Sequence, residues 1–221
     1  MIAPQNKSVM KETMQSGISL PLMEEFYTIQ GEGFNTGKPA WFIRIGGCDV
    51  GCHWCDVKES WDASIHPLTR TDTIVEHAIV SPAKAVVVTG GEPCMYDLIY
   101  LTHELKKNNI QTFLETSGAY EITGEWDWVC LSPKKNMPVL KENFSKASEL
   151  KMIIHNKDDF RFAEKCLAEM HSLPGGPGRG GAFLQPEWSK RNEMMPLIVE
   201  YVQQNPAWRI SIQTHKYIGI P

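Results

Sequence analysis

Three cysteines stand within eight residues of one another, which suggests a metal centre. Cys48, Cys52 and Cys55 have the spacing C-x3-C-x2-C, and the glycines around them let so short a loop curl around a shared ligand. Ordinary iron–sulfur clusters are held by four cysteines, so three leave one iron with an open coordination position. Catalytic metal sites keep such a position for their substrate. The segment therefore predicts a catalytic four-iron, four-sulfur (4Fe-4S) cluster.

A zinc site is an alternative interpretation of the same loop. His53 could complete a set of three cysteines and one histidine, but it lies inside the tight C-x2-C turn and would compete sterically with its flanking ligands. A ligand from elsewhere in the chain is the other route to a zinc site. The remaining cysteines, Cys94, Cys130 and Cys166, lie in or beside apolar segments, where free cysteine behaves as a small hydrophobic residue.

A second motif, TGGEP at residues 89–93, follows an apolar run typical of a buried strand. The carboxyl ends of strands in α/β sheets are where ligands bind. Two consecutive glycines would leave backbone groups open to a ligand, and Glu92 could accept a hydrogen bond from an ammonium group. An ordinary strand-to-helix turn would have a similar sequence, but its place one βα unit after the cysteines favours a shared site.

Apolar runs rich in Val and Ile alternate with amphipathic segments along the chain. Such runs are typical of strands buried on both faces of a parallel sheet, and their alternation with helices predicts right-handed βαβ units. The predicted strands are residues 41–45, 84–89, 111–115, 126–131, 150–154, 182–185 and 209–212. The predicted helices are residues 71–80, 96–109, 158–171 and 192–204.

This order predicts an α/β fold, an incomplete (partial) TIM-type barrel of about six βα units with shortened helices. A closed barrel of eight units usually needs about 250 residues, more than this chain has. The connections 116–125 and 132–149 are short or interrupted by glycine and proline, which leaves little room for crossover helices. We predict an N-terminal extension over residues 1–21, a single domain over residues 22–221, and a turn-rich loop over residues 173–181.

Charge and hydropathy exclude broad classes of partner. A formal net charge of -4 gives no general attraction for nucleic acid or anionic lipid. No apolar run approaches the roughly 18 residues of a membrane-spanning helix, and the start of the chain lacks the apolar core of a secretory signal. We therefore expect a cytoplasmic protein that binds neither nucleic acid nor membranes.

The cysteine segment and the Gly-Gly-Glu element together resemble the radical S-adenosylmethionine (SAM) superfamily. Further segments are similar to one family within it, the 7-carboxy-7-deazaguanine synthases. These segments are TIQGEG at 28–33, WFIRI at 41–45, Cys-Asp at 55–56 with Trp-Asp at 61–62, Ser-Pro-Lys at 132–134, and QTHKYIGIP at 213–221. The resemblance covers nearly the whole chain from residue 22 onward.

The resemblance implies an enzyme that converts 6-carboxy-5,6,7,8-tetrahydropterin into 7-carboxy-7-deazaguanine with loss of ammonia, in 7-deazapurine (queuosine) biosynthesis. It implies a reduced 4Fe-4S cluster that passes an electron to bound SAM, and a 5'-deoxyadenosyl radical that takes hydrogen from C6 before SAM is re-formed. The implied partners are the small-molecule pterin, an external electron donor such as flavodoxin, and a second copy in a homodimer.

Site residues follow from the same resemblance, position by position. The cluster would be held by Cys48, Cys52 and Cys55. SAM would be bound by Trp54, Cys55, Asp56, Gly91, Glu92, Ser132, Pro133, Lys134, Gln185, Pro186, Glu187 and Trp188. The pterin would be bound by Ile29, Gln30, Gly31, Glu32, Arg44, Thr89, His215 and Pro221, the last through its α-carboxylate, although chain ends are commonly frayed.

The residues around Arg44 also indicate an anionic partner. Strand alternation places it on the face opposite Ile43 and Ile45, and an arginine in an apolar strand requires an anionic partner. We assign it to the substrate carboxylate. The alternative is an internal salt bridge to one of three glutamates, Glu24, Glu25 or Glu32.

One position departs from the family. Many members carry Thr or Ser directly after Cys-Asp, and its hydroxyl binds Mg2+, but here the position is Val57. Magnesium needs oxygen ligands. Either substrate, water and main-chain oxygens hold it, or the dependence on Mg2+ is weakened.

Two other functions would also explain part of the sequence. A glycyl-radical enzyme activase would share the cysteine spacing but would act on a protein, and it would not need TIQGEG or the segment 215–221. A non-catalytic iron–sulfur or zinc binding module would have no purpose for TGGEP.

Overall fold

The structure is a computed structural model, and it describes residues 16–173 and 180–221. Most of the predicted N-terminal extension (residues 1–15) and most of the predicted turn-rich loop (residues 174–179) lie outside the described residues. The described ranges contain one sheet with helices packed against it.

The sheet has nine strands: β1 (Ser19–Ile29), β2 (Pro39–Ile45), β3 (Leu68–Arg70), β4 (Ala85–Gly90), β5 (Gln111–Thr116), β6 (Trp128–Leu131), β7 (Glu149–Ile154), β8 (Gly181–Pro186) and β9 (Trp208–Ile210). Their order across the sheet is β3-β1-β2-β4-β5-β6-β7-β8-β9. Strand β1 is antiparallel to β2 and β3. From β2 through β4 to β9, each neighbouring pair is parallel. All strands of this parallel part therefore end at the same edge of the sheet.

The α-helices of the described residues are α1 (Thr71–Val80), α2 (Ile99–Lys107), α3 (Lys141–Lys146), α4 (Asp158–His171), α5 (Arg191–Gln204) and α6 (Thr214–Ile218). Helices α1 and α4 have the predicted bounds, and α2 and α5 differ from them by three residues or fewer. Helix α4 buries Ala163, Cys166, Leu167 and Met170, the spacing that defines one helical face. Among the described residues, no helix has the length and apolar character needed to cross a membrane.

The sheet is an open barrel rather than a closed one. Within the described residues, strand β9 at one edge of the sheet does not pair with β1 or with β3 at the other edge. The loop after β1 instead contacts the segment after β9, where Thr214 N donates to Gly31 O at 2.9 Å and Gly33 N donates to Ser211 Oγ at 2.9 Å. The β5–β6 connection has no α-helix, and the β6–β7 connection has only the short α3. The predicted α/β partial barrel with shortened helices is confirmed.

Strands β1 and β3 are absent from the sequence prediction. The first residues of β1 are buried without alternation, and a register shift between Leu22 and Glu24 interrupts the pairing with β2. No clean period of two therefore runs through this strand. Strand β1 begins at Ser19 and Leu20 is fully buried, so the first strand starts three residues before the predicted domain boundary at Leu22.

Two large apolar clusters on the helix-covered side of the sheet form most of the core, and a smaller third cluster, which includes Val87 and Phe113, lies on the other side. The first contains Leu20, Ile43 and Leu101, and the second contains Leu150 and Ile198. The opposite side of the strands is partly polar, and its members include Glu115 of β5 and Lys151 of β7. Burying charged side chains is costly unless they are paired. The polar side is therefore where a functional site is expected.

Candidate active site

A cavity of about 280 Å3 lies at the carboxyl ends of the parallel strands. Its walls come from the ends of β1, β4, β5, β7 and β8, from the segment after β9, and from residues 46–57 after β2, here called the cysteine loop. Every predicted site residue lines this cavity except Pro133, which is buried beside it. Motifs that are far apart in the sequence are thus brought to one place.

The glycines after β4 let the end of that strand touch the cysteine loop. Gly91 N donates to Ile45 O at 2.9 Å, and Glu92 N donates to Gly47 O at 2.8 Å. A Cβ on Gly91 would lie 2.2 Å from Gly47 O, and one on Gly90 would lie 2.0 Å from Ile45 O. The Gly91 N–H is therefore not open to a ligand, whereas the same expectation for the glycine carbonyls stays a prediction. The glycines permit close backbone approach between two loops instead.

The carboxylate of Glu92 joins the end of β4 to the end of β5. It is almost fully buried and accepts hydrogen bonds from Thr116 Oγ1 at 2.5 Å, Ser117 N at 2.8 Å, Ser117 Oγ at 2.5 Å and Cys94 N at 3.1 Å. A carboxylate offers about four acceptor positions. An ammonium group of a ligand would have to share an oxygen that already has partners, so this contact stays a prediction.

The three cysteines of the loop are free, half-buried and on the wall of the same cavity. Burial raises the pKa of the Cys48 and Cys52 thiols above the ordinary value. A bound cation would be needed to keep them as thiolates, because the thiolate is the form that binds metal. Three soft sulfur ligands on one loop suit an iron–sulfur cluster. The donor set therefore fits the predicted cluster.

Protein contacts anchor the cysteine loop from outside. Asn136 Nδ2 donates to Gly51 O at 2.8 Å, and the Tyr120 hydroxyl donates to the Asp49 carboxylate. The hydrogen bond to Asp49, together with burial, raises the pKa of Tyr120 to about 12. These partners follow β5 and β6, so the loop is held against the same strand ends that line the cavity.

His53 points to another histidine rather than to the cysteines. Its Nε2 lies 3.5 Å from His155 Nε2, and His155 Nδ1 lies 3.5 Å from Glu187 Oε2. Across residues 16–173 and 180–221, no three His, Cys, Asp or Glu side chains are grouped so that a single metal ion could bind them. The described residues therefore give the zinc alternative no support.

The Ser-Pro-Lys segment after β6 brings a lysine to the cysteine loop. Lys134 Nζ donates to the backbone oxygen of Ser132 and to Ser132 Oγ at 2.7 Å, and it lies 6.0 Å from the centre of the Trp54 ring. Burial lowers the pKa of Lys134. Three predicted SAM-binding residues are therefore neighbours.

The turn after β8 holds the next predicted SAM residues. Gln185 Oε1 accepts a hydrogen bond from Ser211 Oγ at 2.7 Å. The carboxylate of Glu187 caps the following 3-10 turn, accepting from Ser189 N at 2.9 Å and Lys190 N at 3.2 Å. Both side chains thus have protein partners already, and their direct contact with SAM stays a prediction.

Arg44 forms the internal salt bridge that the sequence offered as an alternative, and it also lies on the cavity wall. Its Nε donates to Glu24 Oε1 at 2.6 Å, the partner directly opposite in the β1–β2 pair. The side chain also lines the cavity beside Thr89, its register partner on β4. No described residue accepts a hydrogen bond from its terminal Nη atoms, so the guanidinium can still bind an anion.

The TIQGEG turn joins a buried network that runs across the cavity wall. Lys151 Nζ, 3% exposed, donates to the Glu32 carboxylate and to Glu115 Oε2 at 3.0 Å. Gln30 Nε2 donates to Glu115 Oε1 at 2.8 Å, and Gln213 Nε2 donates to Glu32 Oε1 at 2.8 Å. Two carboxylates and two amides are therefore fixed around one ammonium group.

Electrostatics keep this network charged. Burial works against the charged form of Glu32, but the Lys151 ammonium outweighs it and lowers the pKa of Glu32 to about 2. Burial likewise works against the charged form of Lys151, but buried acidic neighbours that include Glu115 raise its pKa well above the ordinary value. Sequence reasoning missed Glu115, Lys151 and Gln213. The sequence signal that could have found two of them is a charged residue in an apolar strand: Glu115 in strand 111–115 and Lys151 in strand 150–154.

The segment after β9 covers the turn after β1. A Cβ on Gly31 would lie 2.1 Å from His215 Nδ1, so the imidazole sits directly on the backbone of residue 31. Thr28 Oγ1 donates to the backbone oxygen of Pro221 at 3.1 Å. Burial lowers the pKa of His215. His215 and Pro221 both line the cavity, and their contacts with the pterin stay a prediction.

Val57 lies on the cavity wall without a side-chain oxygen, and its backbone oxygen accepts from Ser60 Oγ at 2.7 Å. The neighbouring Asp56 carboxylate accepts from Lys216 Nζ at 2.6 Å. The oxygens nearest to the family's magnesium position thus have protein partners. The described side chains do not form a magnesium site by themselves.

Comparisons with known proteins agree with this geometry. The family model described as the Radical SAM superfamily matches residues 42–129. The 7-carboxy-7-deazaguanine synthase of Flavobacterium psychrophilum is 59% identical and covers 94% of this chain and 96% of that protein. The synthase of Synechocystis sp. is 42% identical and covers 92% and 94%. The crystal structure of QueE from Escherichia coli has a TM-score of 0.77 at 34% identity and covers 92% of this chain and 98% of that one.

These similarities extend over nearly the full length of both partners, beyond the segment that the superfamily model matches. The segments with the clearest motifs, the cysteine loop and the end of β4, lie inside that matched segment and meet at one end of the cavity. The chain belongs to the 7-carboxy-7-deazaguanine synthase family of radical SAM enzymes.

Proposed function

We propose that this enzyme converts 6-carboxy-5,6,7,8-tetrahydropterin into 7-carboxy-7-deazaguanine with loss of ammonia. The observation that carries the proposal is the composition of one cavity. Three free thiols lie in the same cavity as a guanidinium with unused donors and a set of fixed carboxylates and amides. A cavity with a few placed polar groups is typical of small-molecule sites.

The residues present fit a 4Fe-4S cluster and SAM. Cys48, Cys52 and Cys55 would hold the cluster, with Trp54 and Lys134 beside the space for SAM. When bound, these groups supply the radical that starts the reaction by removing hydrogen from C6 of the pterin. The chain's own task is to place that carbon and to exclude water around it.

Arg44 is the proposed partner of the substrate carboxylate. A planar guanidinium binds a carboxylate with two parallel hydrogen bonds. The hydrogen bond from Nε to Glu24 fixes the orientation of the group and leaves its Nη atoms for the ligand. Thr89, beside it on β4, adds a hydroxyl on the same wall.

The pterin edge offers N–H donors, and the buried network offers acceptors. Glu32 and Glu115 are held in place by Lys151, and Gln30 is held by Glu115. Because the Lys151 ammonium keeps the pKa of Glu32 low, Glu32 is a carboxylate at neutral pH and can accept from the pterin. His215, whose pKa burial lowers, would be a neutral imidazole at neutral pH, able to accept a proton at a ring nitrogen during loss of ammonia.

The residue at position 57 bears on how strongly the enzyme depends on Mg2+. With Val57 in place of a hydroxyl residue, and Asp56 paired with Lys216, we infer that dependence on Mg2+ is weakened. Titration of activity against Mg2+ after chelation tests this inference. A strict requirement for the ion would refute it.

The test of the proposed function is anaerobic reconstitution followed by mass spectrometry. With reductant, SAM and 6-carboxy-5,6,7,8-tetrahydropterin, we expect 7-carboxy-7-deazaguanine, and 5'-deoxyadenosine only when SAM is present. If the spectrum of the reconstituted cluster does not change when SAM is added, the proposal is refuted. Radical formation on a protein substrate without carboxydeazaguanine would favour the activase alternative.

An external electron donor such as flavodoxin, a homodimer and a cytoplasmic location stay predictions.

A further inference from the structure

One lysine connects the two halves of the site. Lys216 lies on the five-residue helix α6, directly after His215. Its Nζ donates to Asp56 Oδ2 at 2.6 Å, and Asp56 follows the last cysteine of the cysteine loop. The same Nζ lies 5.1 Å from the centre of the Trp188 ring in the turn after β8. The Lys216 side chain is 20% exposed and the Asp56 side chain is 56% exposed, so the lysine is mostly covered while its carboxylate partner is open to solvent.

Helix α6 has separate ties to the opposite side of the cavity. Thr214 donates from N and from Oγ1 to Gly31 O, at 2.9 and 2.7 Å. His215 rests on Gly31, and Pro221 accepts from Thr28 Oγ1 at 3.1 Å. These contacts belong to the wall that would hold the pterin. Lys216 therefore spans from that wall to the loop and turn that would hold the cluster and SAM.

We propose that Lys216 is a positioning residue that couples occupation of the cofactor end of the cavity to the conformation of residues 214–221. The inference rests on the proposed function for the identity of the two ligands. SAM fixed against Asp56 and Trp188 would fix the partners of Lys216, and Lys216 would then hold His215 and Pro221 in their pterin-binding positions. By thermodynamic reciprocity, the pterin would strengthen SAM binding by the same factor.

Two features make such coupling sensitive to one side chain. A helix of five residues is not stable by itself, so α6 keeps its position through tertiary contacts. Tyr217 packs edge-on against Trp188 with ring centroids 5.3 Å apart, a contact without a hydrogen bond, whereas the ion pair joins Lys216 Nζ to Asp56 Oδ2 at 2.6 Å. The other contacts of α6 allow the chain to fold without Lys216. Loss of the lysine should therefore loosen the segment rather than unfold the protein.

The experiment compares Lys216→Met, which keeps the apolar stem, with Lys216→Arg, which keeps the charge. Lys190→Met is the matched control, because Lys190 lies in the turn after β8 but pairs with Glu193 on α5. Hydrogen exchange of the metal-free protein reports on residues 214–221, where Ile220 N donates to His215 O at 3.1 Å. Calorimetry of the reconstituted, unreduced protein then gives the affinity for 6-carboxy-5,6,7,8-tetrahydropterin with and without SAM.

We expect Lys216→Met to speed hydrogen exchange in residues 214–221. We also expect it to reduce the effect of SAM on pterin affinity by roughly three- to tenfold, the range for loss of a partly exposed ion pair and a cation–π contact. Lys216→Arg should restore both readouts, and Lys190→Met should change neither. Unchanged exchange and coupling in Lys216→Met would overturn the inference, as would an equal loss of pterin affinity with and without SAM. If the wild-type protein binds no pterin, the proposed function fails, while the exchange result still decides whether Lys216 holds the segment.

Discussion

The imidazole of His215 lies on the backbone of Gly31, so closely that a Cβ at residue 31 would be 2.1 Å from His215 Nδ1. Two segments separated by most of the chain thus share one van der Waals contact inside the cavity. The φ angle of Gly31 lies outside the left-handed region, so the requirement for glycine here is steric rather than conformational. The contact fixes the distance between the TIQGEG turn and helix α6.

Gly31→Ala should therefore displace His215 without unfolding the chain. We expect kcat/KM for the pterin to fall by roughly ten- to a hundredfold, because a displacement of about 1 Å in a catalytic site can have that effect. Gly37→Ala is the control: Gly37 lies in the same β1–β2 connection, and a Cβ there would meet nothing within 4 Å. Its φ of +89° makes alanine strained, so this control should lose stability but keep kcat/KM. Equal kinetics for both variants would contradict the steric role.

Lys151→Met should be strongly destabilising. Removal of the ammonium leaves the Glu32 and Glu115 carboxylates, 15% and 22% exposed, without their cation, and breaking a buried pair typically costs about 3–5 kcal/mol, so we expect a loss near the lower end of that range. Urea unfolding measures the loss. Lys106→Met is the matched control, since the side chains of Lys106 and Asp127 are 29% and 37% exposed, and it should cost no more than about 1 kcal/mol. A second change, Glu115→Gln, should recover part of the loss in the Lys151→Met background.

Glu32 should make stability depend on acid pH. Its pKa in the folded protein is about 2, against an ordinary value of 4.5. A lowered pKa contributes stability above pH 4.5, and the contribution is lost as the pH falls from about 4.5 to 2. The contribution is up to about 3 kcal/mol at neutral pH. In urea unfolding between pH 2 and 6, the difference between wild type and Glu32→Gln should shrink as the pH falls, and a constant difference would refute the pairing.

How much of this site could be predicted depends on whether its residues form local motifs. The bounds of α1 and α4, the cysteine loop and TGGEP could be predicted, because periodicity and spacing act within a few residues. Glu115 and Lys151 meet only through the register of β5, β6 and β7, and no local pattern predicts that pairing. The steric role of Gly91 against Gly47 is likewise a contact between separate loops. Contacts between residues that are distant in the sequence therefore depend on tertiary packing, and local motifs do not predict them.

Arg44→Lys should weaken binding of the pterin carboxylate. Lysine keeps a positive charge but cannot bond Glu24 and a carboxylate with the same planar geometry. We expect KM for the pterin to rise by roughly ten- to a hundredfold, the effect of losing one charge-assisted hydrogen bond. Formation of 5'-deoxyadenosine from SAM without pterin should stay unchanged, which separates substrate binding from cluster assembly. Glu24→Gln keeps an acceptor for Nε and should have a much smaller effect. If Arg44→Lys leaves KM unchanged, the salt bridge to Glu24 is the only role of Arg44.

Residues added after Pro221 should impair turnover. Pro221 lines the cavity and accepts a hydrogen bond from Thr28, which is buried, so additional residues would have to pass through the space proposed for the pterin. We expect a C-terminal extension of a few residues to raise KM for the pterin and lower kcat, while iron content and 5'-deoxyadenosine formation without pterin stay the same. The same residues placed before Met1 are the control and should leave all four quantities unchanged. Full rate and affinity in the C-terminally extended protein would show that Pro221 does not contact the substrate.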